Sequence, residues 1–106
     1  MNLPLKNVKV LDLSSVLAGP YCSLHLGDYG ATVTKIESPQ GDLLRKLGGR
    51  SKSGMLSPQF MNINRNKKSL CIDLKNPQSD EIIKKLISTH DVLLTNMRDN
   101  ALKKLH

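Results

Sequence analysis

Aromatic side chains are almost absent from this 106-residue chain, which has one Phe, two Tyr and no Trp. Proteins that recognise single-stranded nucleic acid usually stack bases on aromatic rings, and this chain has little platform for that. No apolar run approaches the roughly 20 residues of a membrane-spanning helix. Residues 1–4 lack the basic and apolar regions of a secretory signal. We therefore expect a soluble, cytoplasmic protein with no membrane contact.

Cysteine is equally scarce, and the two present, Cys22 and Cys71, lack the C-x-x-C spacing of zinc or redox sites. We expect reduced, packed thiols and no metal. Neither G-x-G-x-x-G nor G-x-x-x-x-G-K-[ST] occurs in the sequence. The standard dinucleotide fingerprint and the P-loop are therefore both excluded. The length allows one domain at most, with a modest core.

The net charge is +7, and its excess lies in the middle of the chain. Residues 43–75 carry eight Lys or Arg and a single Asp. A basic segment of this kind suits a polyanion or a phosphorylated cofactor. The alternative is a solvated surface, which we weigh more heavily for residues 45–52 than for residues 65–68.

Residues 8–22 have the pattern of a buried strand, a turn of small residues and the start of a helix. The strand is a run of β-branched and apolar residues, typical of a parallel sheet covered on both faces. Residues 14–19 form the turn, Pro20 suits the first position of the helix, and Gly30 suits its end. We expect the backbone N–H groups of the turn to be free to attract an anionic or polar ligand.

Strand and helix patterns alternate along the rest of the chain. Further strands are predicted at residues 32–37, 69–74 and 91–95. A short helix is predicted at residues 42–47, a loop at 50–57 and an amphipathic segment at 101–105.

A longer helix is predicted after the third strand, with Asn76 as its N-cap and Pro77 at its first position. Its buried face is predicted from residues that recur at three-to-four spacing, namely Ile82, Ile83, Leu86 and Ile87.

This alternation predicts an α/β fold, a Rossmann-like parallel sheet with helices on both faces. Such sheets bind ligands at the carboxyl ends of their strands. Here those ends are residues 14–19, 38–41, 73–76 and 96–98, which we expect to cluster around a phosphorylated, nucleotide-like ligand. The sheet is incomplete as given, so we expect more chain or a second subunit to cover its edge.

Six motifs follow one another without large gaps, at residues 10–20, 26–31, 35–37, 62–69, 73–75 and 91–96. Together they resemble the family III CoA-transferases, the CaiB/BaiF group that includes formyl-CoA transferase. The resemblance implies that residues 1–106 are the amino-terminal, CoA-binding, Rossmann-like part of a larger CoA-transferase domain. It also implies a homodimer when the domain is complete.

The resemblance implies a reaction as well, the movement of CoA from an acyl-CoA donor to a small carboxylic acid. Coenzyme A takes part as the acyl-CoA substrate, and no metal is needed. In the family an aspartate attacks the donor thioester and forms an enzyme anhydride. That aspartate lies beyond position 106, so we assign no catalytic residue to this chain.

The resemblance further implies which residues bind CoA. Val16, Leu17 and Ala18 would contact its adenine or pantetheine part, and Lys104 its phosphates. The full set is Val16, Leu17, Ala18, Ser38, Ile72, Asp73, Leu74, Lys75, Asn96, Met97, Arg98 and Lys104. Relatives often place Arg at or beside Ser38, and residues 96–100 replace the usual asparagine-aromatic-x-proline-glycine.

Alternatives to a transferase stay open. One is a CoA- or nucleotide-binding module without catalysis, and another, within the family, is an isomerase of the α-methylacyl-CoA racemase type. A third is a basic accessory protein for RNA or DNA, suggested by the basic segment. We favour the transferase, with acyl-CoA and a small acid as its partners and no nucleic acid.

Overall fold

The computed structural model describes residues 2–47 and 57–99. Four strands form a single parallel sheet, namely β1 (Lys9–Asp12), β2 (Thr32–Glu37), β3 (Lys67–Cys71) and β4 (Val92–Leu94). Their order across the sheet is β3-β2-β1-β4, so the direction of strand addition reverses between β1 and β4. The predicted α/β class is confirmed.

Helices cover both faces of this sheet. Helix α1 (Ala18–Asp28) connects β1 to β2, and α3 (Ser79–Thr89) connects β3 to β4. Successive residues of a strand point to opposite faces. Val10 accordingly joins a core cluster that Leu26 of α1 packs against, while Leu11 joins the cluster that contacts Ile83 and Leu86 of α3.

A third cluster packs against α1 and is formed mainly by the chain segment that connects β2 to β3. It joins Leu24 of α1 to Leu44 in a 3₁₀ helix (Leu43–Lys46) and to Phe60 and Ile63 in α2 (Pro58–Ile63). The short helix predicted at residues 42–47 is thus a 3₁₀ helix. Helix α2 is missing from the sequence prediction, although Ser57 and Pro58 are a standard N-cap and first residue. Most of the loop predicted at residues 50–57 lies outside the described residues, as does the segment 101–105.

Two predicted boundaries after α2 are wrong. The third strand, predicted at residues 69–74, runs from Lys67 to Cys71. It starts early because Asn66 turns the chain with a φ of 64°, and its pairing with β2 ends at the pair Glu37 and Cys71. Helix α3 begins at Ser79 rather than at Pro77. The Asn76 side chain accepts a hydrogen bond from the backbone N–H of Gln78 at 2.9 Å, which closes a separate turn before the helix.

The ends of α1 and the face of α3 are predicted only in part. Pro20 is the third residue of α1 rather than the first, whereas Gly30 follows the C-cap with a φ of 108°, as expected. On α3, Ile83 and Leu86 pack against the core, but Ile82 and Ile87 are 47% and 48% exposed.

Two further expectations concern solvent and membrane. Cys22 and Cys71 are both free and exposed, so the prediction of packed thiols is wrong. Among the residues that the structure describes, no helix combines the length and the apolar character needed to cross a membrane.

The two glycines inside α1 give a matched test of how closely this helix packs. A Cβ atom at Gly19 would overlap the Ser14 side chain, whereas one at Gly27 would meet Val33 Cγ2 at an ordinary 3.6 Å. We expect G19A to lower the free energy of unfolding by about 2 kcal/mol through overpacking. G27A should raise it by about 1 kcal/mol, because alanine favours helix. Urea denaturation measures both, and equal stability of the two variants would contradict this packing.

Candidate functional site

A cleft of about 250 Å³ opens at the carboxyl edge of the sheet. All four strand ends contribute to its lining, with Ser14 after β1, Ser38 after β2, Leu74 after β3 and Met97 after β4. The predicted clustering of the strand ends is therefore confirmed. The cleft lies where the strand order reverses, which is the usual ligand site of such sheets.

Several residues predicted to bind CoA are at or next to this cleft. Ser38, Leu74 and Met97 line it directly. The Asn96 side chain accepts a hydrogen bond from Ser15 N at 3.2 Å and donates one to Ser15 O at 2.8 Å. This amide thereby ties the turn after β4 to the turn after β1.

The other predicted residues are more dispersed. Ile72 is buried in the core and, with Asp73, lines a second cavity of about 210 Å³ beside the start of α3. Lys75 and Arg98 are exposed directly after the cleft residues Leu74 and Met97. Three more, Val16, Leu17 and Ala18, lie at the start of α1, and Lys104 lies outside the described residues.

The backbone N–H groups at the start of the turn after β1 are occupied, so the prediction that they are free is wrong. Three side-chain oxygens accept from them, with Ser14 N bonded to Asp12 Oδ1 (2.8 Å), Ser15 N to Asn96 Oδ1 (3.2 Å) and Val16 N to Asp42 Oδ1 (3.0 Å). The first three residues of the turn therefore offer no free backbone N–H group to a ligand.

Val16 has an unusual backbone conformation within this turn. Its φ is 65°, in the left-handed region that a β-branched residue rarely adopts. Both carboxylate oxygens of Asp42 contact its N–H, at 3.0 and 3.2 Å. Asp42 also accepts from Leu44 N at 2.9 Å as the N-cap of the 3₁₀ helix. One carboxylate therefore links the turn to the 3₁₀ helix.

Asp42 is neutralised by a buried lysine. Lys35 Nζ lies 2.9 Å from Asp42 Oδ2 and donates to Ser14 O at 3.0 Å, and the two charged side chains are 3% and 1% exposed. Burial acts to raise the pKa of Asp42, but the hydrogen bonds from Leu44, Lys35 and Val16 outweigh it. The net result is a pKa below the ordinary value, so the group stays ionised.

A second ion pair lies beside the first. Glu37 accepts two hydrogen bonds from Arg45, at 2.8 and 2.7 Å, and one from the backbone N–H of Asp42 at 2.7 Å. The Arg45 hydrogen bonds lower the pKa of Glu37 against the opposing effect of burial. The Arg45 guanidinium also lies 4.0 Å from the centre of the Phe60 ring, a cation–π distance.

A third pair is deepest in the fold, at the end of β1. Asp12 is fully buried and accepts hydrogen bonds from Ser14 N, Ser14 Oγ and, at 2.5 Å, Ser23 Oγ. Lys67 Nζ lies 3.4 Å from Asp12 Oδ2 and also donates to Pro20 O at 2.9 Å and Asn64 Oδ1 at 2.8 Å. Burial lowers the pKa of Lys67 to about 8, although Asp12 favours its charged form.

These pairs give two of residues 65–68 a role in the fold instead of the ligand-binding role favoured from the sequence. Lys67 is buried against Asp12, and Arg65 pairs with Asp28 of α1 at 2.9 Å. Lys68, by contrast, is exposed. Among the described basic residues of this segment, Arg45, Arg65 and Lys67 therefore neutralise carboxylates of the fold.

Three charged residues of the site were not predicted from the sequence, namely Lys35, Glu37 and Asp42. Four of the six residues at 32–37 are polar, a composition typical of a strand that is partly exposed to solvent. In the structure β2 lies between β1 and β3, so its charged residues point into the protein. The available signal was the pair of opposite charges, Lys35 and Glu37, at the carboxyl end of one strand in a sheet predicted to have helices on both faces.

The site is suited to binding rather than to bond-making chemistry. Asp12, Glu37 and Asp42 are each held by a cation and by further hydrogen bonds, so none is a ready nucleophile or base. Within residues 2–47 and 57–99, no group of three His, Cys, Asp or Glu side chains could hold a metal ion.

A parallel sheet that is covered by helices on both faces and has a cleft at its point of strand reversal defines a protein of the doubly wound α/β class. The sequence matches CoA-transferase family III over residues 5–106, and the chain belongs to that family. It is 44% identical to (R)-2-hydroxy-4-methylpentanoate CoA-transferase of Clostridioides difficile over 95% of its length. It is 42% identical to human succinyl-CoA:glutarate CoA-transferase over 88%. Both confirm the predicted family.

The solved structures agree with this assignment. A CAIB/BAIF family protein from Brucella suis has a TM-score of 0.90 and 33% identity over 99% of this chain. The chain spans 26% and 21% of the two CoA-transferases and 29% of the Brucella protein. The similarity thus concerns about a quarter of each relative.

Replacing Lys67 tests whether residues 65–68 serve the fold. K67M leaves the Asp12 carboxylate buried without its cation, and we expect a loss of about 3–5 kcal/mol in the free energy of unfolding. K68M, at the neighbouring exposed position, should change it by no more than about 0.5 kcal/mol. Chemical denaturation of both variants gives the comparison. A stable K67M variant would show that Asp12 does not depend on this lysine.

The lowered pKa values of Glu37 and Asp42 predict acid sensitivity. Their folded pKa values lie below the ordinary 4.5 and 3.8, so their stabilisation is complete above those values. It is lost as the pH falls through the folded values. We expect Tm to be steady from neutral pH to about pH 5 and to fall below about pH 4. E37Q should fall less steeply, and an identical slope in E37Q would contradict the role given to Glu37.

Proposed function

We propose that this chain is the CoA-binding part of a family III CoA-transferase that moves CoA from an acyl-CoA to a small carboxylic acid. The observation that carries the proposal is the meeting of four strand ends around one cleft, in a chain whose relatives are CoA-transferases. Residues 1–106 would be the amino-terminal part of a larger, homodimeric, cytoplasmic enzyme that needs no metal.

The charge of the cleft suits an anionic ligand. Lys35 and Arg45 balance Asp42 and Glu37, so the carboxylates of its floor do not repel a phosphate. The N–H groups of the first three turn residues are occupied, so the start of the turn offers no donor to a phosphate. Val16, Leu17 and Ala18 would therefore contact the neutral adenine or pantetheine part of CoA.

The phosphates then require cations elsewhere at the cleft. Lys75 and Arg98 fit this role, because both are exposed and each directly follows a residue that lines the cleft. Guanidinium and ammonium groups are the usual protein partners of phosphate. Ser38 adds a hydroxyl at the cleft, and Lys104 would add a further cation. Asp73 and Ile72 would support the turn that carries Lys75.

Catalysis would come from residues outside this chain. The three carboxylates near the cleft already have cationic partners, which leaves them unsuited to attack a thioester. This observation also favours a second candidate, a CoA-binding module without catalysis. A nucleic-acid role is less favoured, because Arg45, Arg65 and Lys67 are already paired with carboxylates.

Reversing one charge at the proposed phosphate site tests the assignment in the intact protein as it occurs in the cell. We expect K75E to weaken CoA binding at least about tenfold, since a charge-assisted contact is worth about 1.5–3 kcal/mol. K84E reverses an exposed lysine on α3 and serves as the matched control, with binding close to that of the unchanged protein. Calorimetric titration with CoA measures both.

A transfer assay on the same protein separates the candidates. Transfer of CoA from succinyl-CoA or another acyl-CoA to a panel of small acids supports the transferase. Binding without transfer indicates the module, and racemisation of a 2-methylacyl-CoA indicates the isomerase. Absence of CoA binding in the unchanged protein would overturn the proposal.

A further inference from the structure

We propose that Asp42 is a positioning residue that holds the turn at Val16 in the conformation used to bind CoA. The inference rests on the proposed function, because it assumes that residues 16–18 contact the ligand. Asp42 itself would act through the turn, since its side chain is only 1% exposed.

The first observation is the conformation of Val16. At a φ of 65°, its branched side chain is in a backbone region that glycine enters readily and valine does not. Such a conformation persists only where the surroundings hold it. Leu17 and Ala18 follow directly, so the position of these predicted ligand contacts depends on the Val16 backbone.

The second observation is what holds that conformation. Asp42 brings both oxygens to Val16 N, while the preceding residue Ser15 is fixed separately by two hydrogen bonds to Asn96. The turn is therefore anchored on one side by the chain after β4 and on the other by Asp42. Without Asp42, Val16 has no described hydrogen-bond partner for its N–H and is expected to relax to an extended conformation.

The third observation is that Asp42 is itself fixed in place. Lys35 pairs with it, Leu44 N donates to it, and its own N–H donates to Glu37 Oε2. These contacts give the carboxylate one orientation, with its oxygens directed at the turn. The carboxylate that caps the 3₁₀ helix thus also holds the turn at Val16 in place.

A cycle of two substitutions tests this in the intact protein, with the dissociation constant for CoA as the readout. We expect D42A to weaken binding about tenfold or more, a change equivalent to about 1.4 kcal/mol. In a V16G background, D42A should weaken binding by less than about threefold, because glycine enters the left-handed region without a holding contact. The V16G variant alone measures the combined effect of losing the valine side chain and of gaining backbone freedom at this position.

The cycle also separates positioning from a general loss of structure. D42A leaves Lys35 buried without its anion, and V16G does not repair that defect, so rescue by V16G is specific to the turn. Circular dichroism and Tm identify variants that do not fold. In that case the cycle is run with D42N, which retains an acceptor oxygen, and V16G should again reduce the loss of affinity that the Asp42 substitution causes.

Two results would overturn the inference. One is unchanged CoA binding in D42A, and the other is an equal loss with and without V16G in folded variants. If the unchanged protein does not bind CoA, the proposed function fails before the inference is reached.

Discussion

The carboxylate of Asp12 is the constraint on which the carboxyl edge of the sheet depends. A buried charge is tolerated only where cations and hydrogen bonds replace its water. Asp12 obtains them from Ser14 in the turn, Ser23 in α1 and Lys67 in β3. The hydrogen bonds and the ion pair that stabilise this one carboxylate therefore fix how the turn, the helix and the edge strand are placed around β1.

The same principle repeats toward the cleft. Lys35 lies against Asp42, and Arg45 against Glu37, so positive and negative groups alternate along this edge. Each group also bonds to the backbone of a neighbouring segment, as Lys35 does to Ser14 O. The charges at the floor of the cleft are consequently balanced, and hydrogen bonds connect the floor to the turn after β1. The ligand proposed for this cleft would meet a preformed surface there.

Much of the fold could be predicted from local sequence patterns. Buried parallel strands are apolar runs, and the apolar residues of an amphipathic helix recur every three to four positions. The strand ends of the site followed from the same reasoning, and the family resemblance named residues among them. The burial of the charged residues could not be predicted from the sequence. Whether Lys35 faces water depends on β2 lying between β1 and β3, and strand order is not encoded in six residues. Similarly, the early start of β3 depends on the left-handed turn at Asn66.

The pairing of charges inside this fold also constrains how its sequence can diverge. A single change at Asp12 or at Lys67 leaves one bare ion in the interior, whereas exchanging both for apolar residues of similar volume restores neutrality. Replacing the two residues one at a time therefore passes through a destabilised single variant. Divergent members of such a lineage are expected to keep the pair or to lose it whole, so that the two positions vary together.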